Sequence, residues 1–120
     1  PHRTHTDDLA LAERLSEMHE RYNAEHFDGG LRTIPVRISR RMRSRLGHYS
    51  SATKDGLPAE IVISRRHYRR HGWNETLHTL LHEMVHQWQD ESGQEIDHGR
   101  EFRRKARAVG VAARATRRVA

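Results

Sequence analysis

Apolar residues first recur at helical spacing, with Leu11, Leu15, Met18 and Tyr22 on one stripe of THTDDLALAERLSEMHERYNAEHF. An Asp/Thr start and the DGG at 28–30 bound this segment, which predicts an amphipathic helix. The period then changes to two. TIPVRISR alternates with Ile34, Val36 and Ile38 on one face, and LGHYSSAT reads as a second strand. KDG at 54–56 is a hairpin turn, and AEIVIS follows as a third strand with Ala59, Ile61 and Ile63 on its apolar face. RRHYRRHG reads as a short helix stopped by Gly72. Asn74 is placed to cap a helix of about 17 residues through Asp90, with Glu75 in its first turn. Leu77, Leu80, Leu81, Met84, Val85 and Trp88 share a broad stripe on that helix. After a short loop around Gly93, a last helix carries His98, Phe102, Ala106 and Val109 on one stripe, which turns His98 toward the preceding helix. No internal repeat and no linker interrupts this order.

The 120 residues fit one domain, long enough to fold unaided, with 34% hydrophobic and 32% charged positions. We expect a frayed terminus over 1–6, a folded domain over 7–110 and a basic tail over 111–120. No apolar run approaches the roughly 20 residues of a membrane span. PHRTHT lacks the apolar segment of a secretory signal, so a cytoplasmic protein is expected; a monomer is also expected. The absence of cysteine excludes disulfides and thiolate-held metals, leaving histidine and carboxylate as ligands.

The net charge of +6 is concentrated in the middle of the chain. Residues 31 to 73 carry 11 basic and 2 acidic side chains, mainly in RISRRMRSR at 37–45 and SRRHYRR at 64–70. Arginine outnumbers lysine 20 to 2 throughout, so the choice of arginine says little, but the local excess of charge remains. Arg37, Arg40, Arg41, Arg43, Arg65, Arg66, Arg69 and Arg70 are candidate contacts to the phosphates of single-stranded DNA, with Tyr49 and Tyr68 as stacking surfaces. A solvated basic face is the simpler reading of the same residues.

LLHEMVHQW holds the most specific chemistry. HExxH matches arise by chance at about 0.08 per chain of this composition, so the surroundings must carry the argument. Here the motif lies on an amphipathic helix with His82 and His86 side by side at the border of the apolar stripe, where residues four apart can share one ion. A catalytic zinc takes a third protein ligand and keeps an open position. Gln89 and Ser92 stand where the metzincin glycine and third histidine would be, so His98 is the better third ligand. Glu83 would then be the general base that turns a metal site into a hydrolase. Three neutral imidazoles suit one Zn2+ per chain, although they also accept cobalt, nickel or manganese. Tyr49, His48, Tyr68 and His78 are all conceivable oxyanion donors, and no spacing selects among them.

NAEHFDGGL, LGHYS, AEIVIS, LLHEMVHQW and DHGREF together resemble the SprT-like metalloproteases, the family that includes the DNA–protein crosslink protease Spartan. The likeness runs from Asn23 to Gly110, and its most specific element is HExxH followed by HGxxF, met by His82, Glu83, His86, His98, Gly99 and Phe102. The resemblance implies a zincin-like α+β fold: a small, mostly antiparallel sheet of about three strands packed on the HExxH helix, with flanking helices. It also implies proteolysis of protein or peptide substrates, in some members those held on DNA, with His98 as third ligand. Many members continue into a Cys-rich zinc ribbon, which this cysteine-free sequence does not contain, so DNA dependence rests here on the basic middle segment. We expect a zinc endopeptidase in which AEIVIS, as the sheet edge above the cleft, aligns an extended substrate. The alternative is a zinc-stabilised nucleic-acid-binding module with little catalysis.

Overall fold

A computed structural model describes residues 3–111; residues 112–120, most of the expected basic tail, and residues 1–2 lie outside the described residues. A 3-10 turn (Thr6–Asp8) leads into α1 (Leu9–His26), followed by β1 (Val36–Ser39), β2 (Gly47–Ser50), β3 (Glu60–Ser64), α2 (Arg65–Glu91) and α3 (Arg100–Val109). Within the segment expected to fray, Thr4 Oγ1 accepts from the Ile38 N–H at 3.0 Å and His5 caps the 3-10 turn. No helix among the described residues is long and apolar enough to cross a membrane.

The architecture is α+β, but the sheet is mixed rather than mostly antiparallel. Its order is β1-β3-β2, with β3 parallel to β1 and antiparallel to β2. The reason lies in the connection 40–46, which is not a hairpin. It crosses the C-terminal end of β3, where the Ser64 N–H donates to Leu46 O at 3.0 Å and Ser64 Oγ to Met42 O at 3.1 Å. The chain then descends as β2, turns at KDG (Gly56 N–H to Thr53 O, 3.3 Å) and rises as β3 between its neighbours. AEIVIS is therefore the central strand and not the edge, and every residue from Glu60 to Ser64 is buried. β2 is the edge nearer the site.

The core lies between this sheet and the helices. Leu15, Ile38, Ile61, Ile63, Leu80, Met84, Val85 and Phe102 are fully buried. α2 is two helices meeting at Gly72, whose φ of 86° is open to glycine but strained for other residues. Ser64 caps the first piece by accepting from the His67 N–H at 3.2 Å, and Thr76 Oγ1 donates to Gly72 O at 2.8 Å in the second. The polar residues on the core side of α2 are paired. His19 of α1 meets Gln87 Oε1 at 2.8 Å, and Gln87 Nε2 donates to Arg32 O at 2.8 Å and to Glu91 Oε2 at 2.7 Å.

Asp8 fastens the start of the chain to the sheet. Its buried carboxylate accepts from Arg40 Nε at 2.9 Å and from Arg65 Nε at 3.0 Å, and the Arg40 hydrogen bond above all holds its pKa below the usual carboxylate value. A depressed folded-state pKa stabilises the fold above the unfolded value and ceases to do so as pH falls through the folded one. Asp8→Asn is expected to lower the melting temperature by roughly 5 °C at pH 7. The gap between the two proteins should close as pH drops below the ordinary 3.8, which melting curves at paired pH values will check.

Candidate metal centre

The second piece of α2 packs on β2 and β3 through Leu80, Met84 and Val85, and this phase places His82, Glu83 and His86 beside β2 with little exposure. His98 arrives from the α2–α3 loop. The expected helical start at His98 is corrected: Gly99 is the N-cap, so His98 precedes α3 and is exposed. Its position is set from below by Phe102, fully buried in the first turn of α3. That ring stacks on His86 with centroids 4.5 Å apart and meets the edges of His82 and His98 at 5.0 and 4.8 Å.

The three imidazoles converge on one point. His86 Nε2 lies 3.1 Å and His82 Nε2 3.3 Å from His98 Nε2, and all three ligand atoms lie within 4.8 Å of one another. Three nitrogens bound tetrahedrally at zinc distances would stand about 3.3 Å apart, a spacing that the two separations from His98 Nε2 match. The tautomer of His86 agrees. Gln89 Oε1 can only accept, so Nδ1 at 2.9 Å must donate to it, which leaves the Nε2 lone pair aimed at the meeting point. Gln89 is itself held by Asp97, whose N–H donates to Oε1 and whose Oδ1 accepts from Nε2 at 3.2 Å. Burial, more than any neighbouring charge, pushes the pKa of His86 down and favours the neutral ring a metal needs.

Glu83 is 4% exposed, and desolvation raises its pKa to about 8, against the lowering effects of the Tyr49 backbone N–H and of Arg45. The Tyr49 contact follows from strand register. The Leu46–Ser64 bond makes 46/64 and 48/62 the hydrogen-bonded pairs, so the backbone groups of Gly47 and Tyr49 point away from β3, toward the cleft. β2 can lie this close to α2 because residue 47 is glycine; a Cβ there would stand 2.8 Å from Thr79 Cγ2. The result is a cleft of about 260 Å³ with Arg45, Gly47, His48 and Tyr49 on one wall, Ile96, Asp97 and His98 on another, and His82, Glu83 and His86 on α2.

The family model for SprT-like proteins matches residues 15–119. The chain belongs to the SprT-like family. That family is associated with metallopeptidase-like activity, and in this SprT-like chain the matched region contains the whole histidine cluster and Glu83. No curated protein matches the chain.

Of the conceivable oxyanion donors, the Tyr49 phenol is committed to Asp90 Oδ2 at 2.5 Å, and Tyr68 lines a separate cavity with Asp7 and Asp8. His48 reaches the cleft wall, while His78 is half-buried and does not line the cleft. The eight candidate arginines divide. Arg37 pairs with Glu60 at 3.3 Å, Arg40 and Arg65 hold Asp8, and Arg41 lines a hollow with Arg3, Thr4 and His5. Arg43, Arg66, Arg69 and Arg70 gather with Arg40 and Arg65 around another cavity. Sequence reasoning missed Gln89, Asp97 and Arg45. Gln89 lies three residues after His86, on the same helical face, and that spacing could have flagged it.

Proposed function

We propose that this SprT-like protein is a zinc-dependent endopeptidase with a zincin-like active site, in which His82, His86 and His98 hold the metal and Glu83 is the general base. What carries the reading is the meeting of three imidazole Nε2 atoms beside a buried carboxylate in one cleft. Zinc, when bound, supplies the Lewis acidity that polarises a peptide carbonyl and acidifies water. Glu83 takes the proton of the attacking water at its carboxylate and returns it to the leaving amine. The outward edge of β2, rather than β3, offers an extended substrate a strand to pair with, apart from the Tyr49 N–H that Glu83 already takes. Such recognition reads backbone, so it favours loosely folded chains of varied sequence. We extend the reading to proteins held on DNA, on the strength of the arginine-rich segment 37–45, whose Arg45 lines the cleft.

The test is cleavage of a loosely folded protein by the purified chain. Cleavage should vanish with a chelator, return with zinc, and increase when single-stranded DNA carries the substrate. A zinc-loaded chain that binds DNA and cleaves nothing would replace the peptidase with a nucleic-acid-binding module.

A further inference from the structure

Residues 95–98, which bring the third histidine to the cleft, are all exposed, so no buried side chain of their own fixes them. The side chain that reaches them from α2 is Gln89, itself only 1% exposed. Its Oε1 accepts from the Asp97 N–H at 3.4 Å and its Nε2 donates to Asp97 Oδ1 at 3.2 Å, while the same Oδ1 accepts from the Gly99 N–H at 3.0 Å. His98 thus sits between two anchored residues. The partners also decide which end of the amide faces which way. A carboxylate only accepts and a peptide N–H only donates, so Asp97 turns Nε2 toward its Oδ1 and Oε1 toward its N–H. Oε1 is then the atom that meets His86 Nδ1 at 2.9 Å, and the imidazole answers with a proton there and a lone pair at Nε2. Without Asp97 the amide is free to reverse, donate to Nδ1 and leave the imidazole proton on Nε2, where a metal needs the lone pair.

We propose that Gln89 and Asp97 are positioning residues of the metal centre, one hydrogen-bonded relay that selects the Nε2 lone pair of His86 and holds the His98 loop in place before an ion arrives. Two of the three ligands are set by the same buried amide. Neither relay residue is a ligand or a catalytic group; each acts through a histidine. A loop already in place spares metal binding the cost of ordering it, because a site competent only part of the time binds more weakly by that fraction. Asp97 works here as a directional acceptor and not as a charge. This role rests on the metal reading of the three histidines and concerns what sets their affinity, not how a peptide is cut.

Zinc dissociation constants of the full chain, measured by competition with a chromophoric chelator, test the relay. Asp97→Ala should weaken zinc binding about ten- to hundredfold while lowering the metal-free melting temperature little, because Asp97 is exposed. Asp97→Asn keeps an oxygen that can accept from Gln89 and Gly99, so it should bind zinc nearly as tightly as wild type. Gln89→Met, of similar length, should lose at least as much as Asp97→Ala, and adding Asp97→Ala to it should cost little more, since Asp97 acts through the amide. The visible bands of the Co2+-loaded chain report coordination geometry; they should change in Asp97→Ala and persist in Asp97→Asn. Equal losses in the two Asp97 variants would make Asp97 a charge near the ion, and additive losses in the double variant would break the relay into two unconnected residues. Should Gln89→Met fail to fold, the two Asp97 variants still decide. A wild type that binds zinc beside an unaffected Asp97→Ala overturns the relay alone, whereas a wild type that takes up no zinc overturns the metal reading with it.

Discussion

Glu83→Gln is expected to retain about one zinc ion per chain and to cleave a loosely folded protein about 10²- to 10⁴-fold more slowly than wild type. Glutamine keeps the volume of the buried side chain, and its Oε1 can still accept from the Tyr49 N–H that the carboxylate accepts now. The packing of α2 against β2 should therefore persist, and with it the convergence of the three histidines. What is lost is the buried carboxylate of the cleft, the group placed to take a proton from water. Asp97 cannot take over. It is exposed, and the Gly99 N–H and Gln89 amide hold its pKa below the usual carboxylate value, which makes it a poor base. Metal analysis beside a cleavage time course decides the matter. A variant that loses zinc, or that cleaves at the wild-type rate, would take the role of base away from Glu83.

The gathering of the histidines was legible because its determinants are local. Four-residue spacing on an amphipathic helix fixes His82 and His86 relative to one another whatever the rest of the chain does. His98 was legible because a short loop limits where the chain can go, although its place ahead of α3 was not. Strand order is a long-range property and was misread. The alternation of Ala59, Ile61 and Ile63 suggested a one-sided edge strand, yet Val62 between them is also fully buried, and a continuous apolar run marks a central strand. Val62 lies between Arg37 and His48 in the two neighbouring strands. Charge partition was invisible for the same reason. Nothing along the chain pairs Asp8 with Arg40 and Arg65, or Arg37 with Glu60; these contacts exist only once the connection 40–46 has crossed the end of β3.

His98→Ala separates the metal from the fold. In wild type, zinc in hundred- to thousand-fold excess over its dissociation constant should stabilise the protein by about 3–4 kcal/mol, raising the melting temperature by roughly 10 °C or more. His98 is exposed and lies outside the helices, so its removal should leave the metal-free melting temperature nearly unchanged while abolishing most of the zinc-induced rise. His82→Ala and His86→Ala should behave differently. Both remove buried rings packed on Phe102, so both should lose the zinc effect and also melt lower without metal. The wild-type rise should shrink as pH falls below the ordinary imidazole value of about 6.5, because protons then compete for the same lone pairs. Burial lowers the pKa of His86 and so keeps that ligand neutral further into the acid range. An undiminished zinc-induced rise in His98→Ala would remove the third ligand. Glu101, one turn away but now paired with Arg104 at 2.9 Å, would then have to leave that partner to replace it, and Arg104→Gln would strengthen zinc binding instead of leaving it unchanged.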